Sequence, residues 1–246
     1  MGGLRRVVAV TALAGMLLLF GCQRDNRPLH ERIADGMFHA QNDPQWEYVT
    51  GKYGEEDFTL NTEDYVGGIY SSRFGMWVKL YWDETEKTYR DNYAVYLRQD
   101  ELIELLDAAF GEILGESSYK IYALPYRWCP SSFGRDTTAR ELLEADDLLV
   151  QAALFTAKDL AGREDDWQAV QEAIQSRGWS LHVNLYYVPE EHLALIPENK
   201  RGSPYESNTV LNSAFYYCRA TAHIRPDSFE WMFEDGWQEG EAEQGP

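Results

Sequence analysis

Cysteine is scarce in this chain: three in 246 residues, Cys22, Cys129 and Cys218, with no Cys-x-x-Cys pair. No Cys-x-x-Cys motif therefore supports a redox role. Basic residues are also few, 22 Lys and Arg against 41 Asp and Glu, for a formal charge of −19. A surface of that sign repels nucleic acid and anionic lipid headgroups, so no nucleic-acid partner is expected. The sequence has no Gly-x-x-x-x-Gly-Lys loop to cradle phosphates, no Gly-x-Ser-x-Gly elbow and no calcium-loop spacing of acids. The five histidines, His30, His39, His182, His192 and His223, include no His-x-x-x-His pair to share one helical face. Long apolar runs are missing too, apart from residues 7–20. As a helix that run covers about 21 Å, short of the roughly 30 Å of a bilayer's hydrocarbon core.

What is present begins with that run. Arg5 and Arg6 precede it, and Leu19-Phe20-Gly21-Cys22 closes it. A basic start, a short apolar core and a small residue before a cysteine resemble a bacterial lipoprotein signal peptide, with Leu19, Phe20 and Gly21 as the lipobox. Phe20 stands where that pattern usually has a small or β-branched residue. The resemblance implies cleavage before Cys22, a thioether-linked diacylglycerol on its thiol, and a lipid-anchored extracytoplasmic protein. Several acyl chains hold a protein stably, since each buried CH₂ contributes about 0.8 kcal/mol. In that oxidising setting Cys129 and Cys218 are a possible disulfide. The alternative is that each packs as a small free hydrophobe.

The remaining chain reads as signal peptide 1–21, tether 22–35, a helix-and-meander module 36–118, a mixed strand-and-helix module 119–235, and a disordered acidic tail 236–246. Leu29, Ile33 and Met37 suggest a short amphipathic helix. Asp43-Pro44 starts a helix carrying Trp46, Val49 and Tyr53, which Gly54 ends. Strands are expected at 66–73, 76–82 and 89–97, around a polar turn at 83–87. Leu102, Leu105, Leu106, Ala109, Phe110 and Ile113 make the apolar stripe of a helix over 101–114, capped by Asp100 and stopped by Gly115. Strands at 119–126, 148–156, 181–187 and 213–224 alternate with helices at 138–145 and 165–177. The expected class is α+β, a helix plus antiparallel meander followed by a mixed module, with the strands in one continuous sheet or in two.

Lys52-Tyr53-Gly54-Glu55-Glu56, Asp91-Asn92-Tyr93, a helix ending near Gly115 and Tyr187-Val188-Pro189-Glu190-Glu191 are similar to uncharacterised lipoproteins of Gram-positive bacteria. The likeness runs over about residues 43–192 and implies no activity, cofactor or catalytic residue.

Three constellations remain. His182 and His223 fall on the polar faces of two strands and, if those pair, converge with Glu190 or Glu191 on a metal; solvated surface histidines are the plainer reading. The loop holding Cys129, Ser131, Ser132, Arg135 and Asp136 offers a thiol that Arg127 or Arg135 would activate, or else a structural connection. Tyr70, Trp77, Tyr81, Tyr186 and Tyr217 fall on outward strand faces and suit a glycan or a protein partner, although sheets favour aromatics in any case. The leading expectation is a lipid-anchored, non-enzymatic binding protein with no cofactor. The rivals are a cell-envelope hydrolase or metal-dependent enzyme, and a purely structural envelope protein.

Overall fold

A computed structural model of the chain describes residues 44–60, 69–115, 118–197 and 212–242. The expected signal peptide, lipobox, Cys22 and the 29–37 helix lie outside them, as does most of the loop after Pro197. The described residues belong to one unit, Asp43–Pro246. None of its described helices is long and apolar enough to cross a membrane.

The chain enters the fold in helix α1, Pro44–Tyr53, which buries Trp46, Val49 and Tyr53 as their spacing requires. Gly54 ends it at φ 91°, where a Cβ would come within 2.8 Å of Arg135 and Glu56 side-chain atoms. The following strands do not join one sheet. β1 (Phe58–Leu60), β2 (Ile69–Ser71) and β3 (Met76–Val78) form a small antiparallel sheet. β4 (Leu80–Asp83) and β5 (Thr88–Asp91) form a separate hairpin. The strand expected over 76–82 therefore breaks at Lys79. The turn at 84–87 is built as expected, with Asp83 Oδ1 accepting the N–H groups of Thr85 and Glu86.

Residues 93–97, expected to extend a strand, form helix α2, Tyr93–Leu97. Asp91 explains the change. Its carboxylate accepts the Tyr93 N–H at 2.8 Å, turning the backbone out of the ladder. Tyr93, Ala94 and Val95 are all buried, a run that a half-exposed strand cannot accommodate. Helix α3 (Gln99–Leu114) follows and stops at Gly115. It starts before Asp100, so that residue sits in the first turn rather than at the cap.

The larger sheet has six strands: β6 (Tyr119–Pro125), β7 (Val150–Thr156), β8 (Leu181–Tyr187), β9 (Cys218–Ile224), β10 (Phe229–Trp231) and β11 (Trp237–Glu239). Their order is β10-β9-β8-β7-β6, with β11 pairing the other half of β9. Only β7 and β8 are parallel, and helix α5 (Arg163–Ser176) supplies the crossover that a parallel pair needs. The short helices α4 (Ala139–Glu144) and α6 (Glu190–Leu195) complete the set. Thr138 and Glu141 form a capping box at the start of α4. Helix α5 begins at Arg163, two residues before the start expected at 165. The class is α+β.

Helices α3 and α5 cover one face of this sheet. Leu102, Leu106, Phe110, Val170 and Ile174 pack on Ala152, Leu154, Val183, Leu185, Ala220 and Ala222. The second face is not the wet one that the alternation implied. Tyr122, Phe155 and Tyr186 pack there with Val188, Leu193, Ile196, Phe215 and Tyr216. All seven residues of β8 are consequently buried. Tyr216 lies on this second face, opposite Ala220 and Ala222. The tail is ordered through β11, whose Trp237 packs on the core, which corrects the expectation of disorder from residue 236.

Asp91 ties the small elements to the large ones. It is fully buried. Oδ2 accepts from Tyr48 (2.9 Å) and Lys52 (2.7 Å), while Oδ1 accepts from Tyr53 (2.7 Å) and the Tyr93 N–H. Its carbonyl accepts the Cys129 N–H at 2.6 Å. Burial, and then the Asp91 charge, push the Tyr48 and Tyr53 phenols well up, so both stay protonated donors. A second hub joins the far side: Asp166 accepts from Lys158 (2.5 Å) and from Tyr187 (2.7 Å).

Removing a buried carboxylate that pairs with a cation strands that cation, at a cost of about 3–5 kcal/mol. Asp91→Ala is expected to lose that much in urea unfolding of the chain starting at Cys22. Lys87→Ala, whose partner Glu84 is exposed, should leave the midpoint unchanged. A loss below about 1 kcal/mol for Asp91→Ala contradicts the hub, because it is no more than an ordinary hydrogen bond contributes.

Candidate functional site

The register of the large sheet brings His182 and His223 together. They are directly opposed on β8 and β9, with ring centroids 5.2 Å apart. The same row continues to Gln151 on β7 and Glu230 on β10. The pairing expected from sequence is therefore formed, but Glu190 and Glu191 follow the other end of β8 and take no part. Glu230 stands near His223 instead. Among the described residues no group of three His, Cys, Asp or Glu is arranged to hold a metal.

Hydrogen bonds fix the protons in this row. Thr221 Oγ1 donates to Asn184 Oδ1 at 2.7 Å, which turns the amide nitrogen of Asn184 toward His182 Nε2 at 3.3 Å. That nitrogen accepts, so the neutral His182 ring carries its proton on Nδ1. Nδ1 is buried and has no hydrogen-bond partner. His223 Nδ1 faces Glu230 Oε2 at 3.4 Å, and its Nε2 meets the Tyr126 hydroxyl at 2.9 Å. The Tyr126 ring lies flat on His182, 3.9 Å between centroids and 5° between planes. Burial pushes the His182 imidazole down to about 3, and the charges of His223 and Arg127 act in the same direction. Carboxylate, imidazole and phenol thus form a chain able to move a proton, with a long first link to an exposed Glu230.

Neither Tyr126 nor Glu230 was singled out from sequence. The Pro226-Asp227 turn after Ile224 held the signal for Glu230. Read as a hairpin, it sets Phe229 opposite Ile224 and Glu230 opposite His223.

The loop of Cys129 is a clamp. Arg98 donates to the carbonyls of Thr137 (2.6 Å) and Arg135 (2.7 Å), and Arg135 pairs with Glu56 at 2.7 Å. Burial and the nearby Asp91 charge push the Cys129 thiol up to about 12, the opposite of activation. Ser132 lines an open cleft of about 360 Å³ whose other described walls are Phe133, Thr137, Glu144, Ala145 and Glu141, the last held in the α4 capping box, with no histidine among them.

Cys129 and Cys218 are both buried and free, so the possible disulfide is not formed. Topology explains it. Cys218 pairs with Tyr187 at one end of the sheet, in the row that ends at Tyr119 on β6. Cys129 lies beyond Pro125, at the other end of β6. Three strand spacings alone amount to about 14 Å, twice the Cα separation that a disulfide spans. Burial pushes the Cys218 thiol up to about 11.

The aromatic faces divide. Tyr186 is buried and Tyr217 packs against the core, so neither faces outward. Trp77, Tyr81 and Trp82 are exposed, at 37%, 50% and 40%. Tyr81 stacks beside Trp128 (6.3 Å, 13°), and Trp82 meets Tyr89 edge-on at 5.0 Å. Tyr89 in turn touches Tyr48 of α1 at 5.7 Å. The lipobox residues and Cys22 lie outside the described residues.

No model of a known protein family matches the chain, and no curated protein does. Among solved structures, the crystal structure of a DUF5037 family protein from Ruminococcus gnavus is 13% identical, with a TM-score of 0.42. The match covers 70% of this chain and 85% of that one.

Two outcomes follow from these side chains. Unfolded His182 takes its proton near 6.5, while the folded ring resists it down to about 3. Its contribution to stability is therefore complete above pH 6.5 and is lost as pH falls toward 3. Stability should drop by about 1.4 kcal/mol per pH unit more than in His182→Gln below about pH 6. Equal slopes in urea titrations exclude this. In the unacylated chain starting at Cys22, a thiol reagent should label Cys22 alone while the protein is native, and all three cysteines in urea. Prior reduction should change neither number.

Proposed function

We propose that the protein is an extracytoplasmic lipoprotein, held at the membrane by acylation of Cys22, and that it works there by non-covalent binding. The lipobox supports the anchor. The observation that carries the binding reading is the group of exposed rings on and beside one hairpin: Trp77, Tyr81 and Trp82. Rings with polar handles gain by docking against a partner, and they leave little side-chain entropy to lose. The thiol chemistry of the rival reading is disfavoured by the buried, hard-to-ionise Cys129.

A second reading has its own support. The Glu230–His223–Tyr126 chain has the connectivity that prepares a hydroxyl for acyl transfer. A hydrolase of that kind loses turnover of an activated ester in Tyr126→Phe while keeping its fold.

The anchor is tested in cells. Wild-type protein should fractionate with membranes, with a diacylated mature N-terminus by mass spectrometry, and Cys22→Ala should keep its signal peptide and lack lipid. An unmodified mature Cys22 contradicts the anchor. For binding, crosslinking in intact cells should yield adducts at a photoreactive residue placed at Tyr81 and none at one placed at Glu172, on the exposed face of α5. Equal yields contradict the binding surface.

A further inference from the structure

Resting on that reading, we infer that the partner of the aromatic hairpin is the bilayer itself: Trp77, Tyr81 and Trp82 seat in the headgroup layer and orient the anchored protein. Two independent observations lead there. The first is where the chain enters the fold. The chain that follows Cys22 enters the described fold at Pro44, the first residue of α1. Tyr48, one helical turn on and about 6 Å along the axis, touches Tyr89, and Tyr89 touches Trp82. The first residue of α1 and the exposed ring of Trp82 are thus joined by a row of aromatic side chains, while Tyr81 stacks beside Trp128 on the other face of the same strand.

The second is charge. The protein carries −19 overall, and most of its surface is repelled by anionic headgroups. Residues 73–90 are an exception, with four basic residues (Arg73, Lys79, Lys87, Arg90) against three acids (Asp83, Glu84, Glu86). Asp83 and Glu86 both bond Arg90, Glu84 bonds Lys87, and Arg73 pairs with Asp57, which leaves Lys79 exposed between Trp77 and Tyr81 in the sequence. Exposed Arg127 adds to this side, next to Trp128, on which Tyr81 stacks. Tryptophan and tyrosine favour the zone where an apolar ring and a polar tip are both satisfied, and flanking cations strengthen attachment to anionic lipid. A glycan would use the same rings but has no reason to lie at the entry of the tether.

The test supplies the anchor chemically, so it is independent of whether cells acylate Cys22. Because Cys129 and Cys218 are buried, the chain starting at Cys22 couples through that thiol to a maleimide lipid. The vesicles are phosphatidylcholine with phosphatidylglycerol, some of it brominated in the acyl chains. Bromine is expected to quench part of the tryptophan emission and the remainder to stay unquenched. The combined variant Trp77→Ser, Tyr81→Ser, Trp82→Ser should lose most of the quenching while keeping its circular dichroism and urea midpoint. Lys79→Glu should reduce quenching on these vesicles and have no effect on phosphatidylcholine alone. A tethered wild-type protein that is not quenched, or a variant quenched like wild type, overturns the inference. Binding of a soluble cell-wall glycan by the unquenched wild type would assign the rings to a glycan instead. Lipidation in cells is read separately, from the mass of the mature N-terminus.

Discussion

One buried carboxylate holds the smaller half of this protein against the larger. Asp91 accepts four hydrogen bonds through its side chain and a fifth through its carbonyl, from α1, α2 and the Cys129 loop. A buried charge is tolerated only when it is paired and its lone pairs are filled. Here both conditions are met by residues far apart in sequence. Lys52, Tyr53, Asp91 and Tyr93 therefore belong to one physical unit, and the hub that they build accounts for the short motifs that contain them.

The same constraint places the aromatic surface. Asp91 ends β5, so the hairpin that carries Tyr81 and Trp82 is fixed at its base to α1 through Tyr48, Lys52 and Tyr53. Rings on a floating hairpin would lose orientation entropy on docking; rings on a braced one have already lost it. The entry of the chain, the buried ion pair and the exposed rings thus form a short mechanical path from Pro44 to Trp82.

Much of the fold was legible in the sequence, for identifiable reasons. Helices α1, α3 and α5 each place a wide apolar stripe against a core, so periodicity located them within a few residues. The strand 181–187 was recognised and its environment was not. Alternation reports two chemically different faces, whereas exposure depends on what covers the second face, and Tyr126 and the Phe215–Tyr216 segment come from elsewhere in the chain. Residues 93–97 were misread because one Asx-type bond from Asp91 overrides a β-favouring composition. The tail departs from its acidic, Gly-rich composition because Trp237 pairs with the half of β9 that β10 leaves open. At the candidate site, the meeting of His182 and His223 was readable once pairing was supposed. Tyr126 and Glu230 depended on a turn and a register that the sequence marks only faintly.

The central claim is that anchoring and the aromatic hairpin act on one side of the molecule. Hydrogen–deuterium exchange tests it most directly, comparing the chain starting at Cys22 coupled through that thiol to lipid vesicles with the same chain free in solution. The account predicts slower exchange of amides in β3, β4 and β5 on the membrane, with the solvent-facing surface of α5 unchanged. Uniform rates in both states, or protection confined to the α5 side, would contradict it.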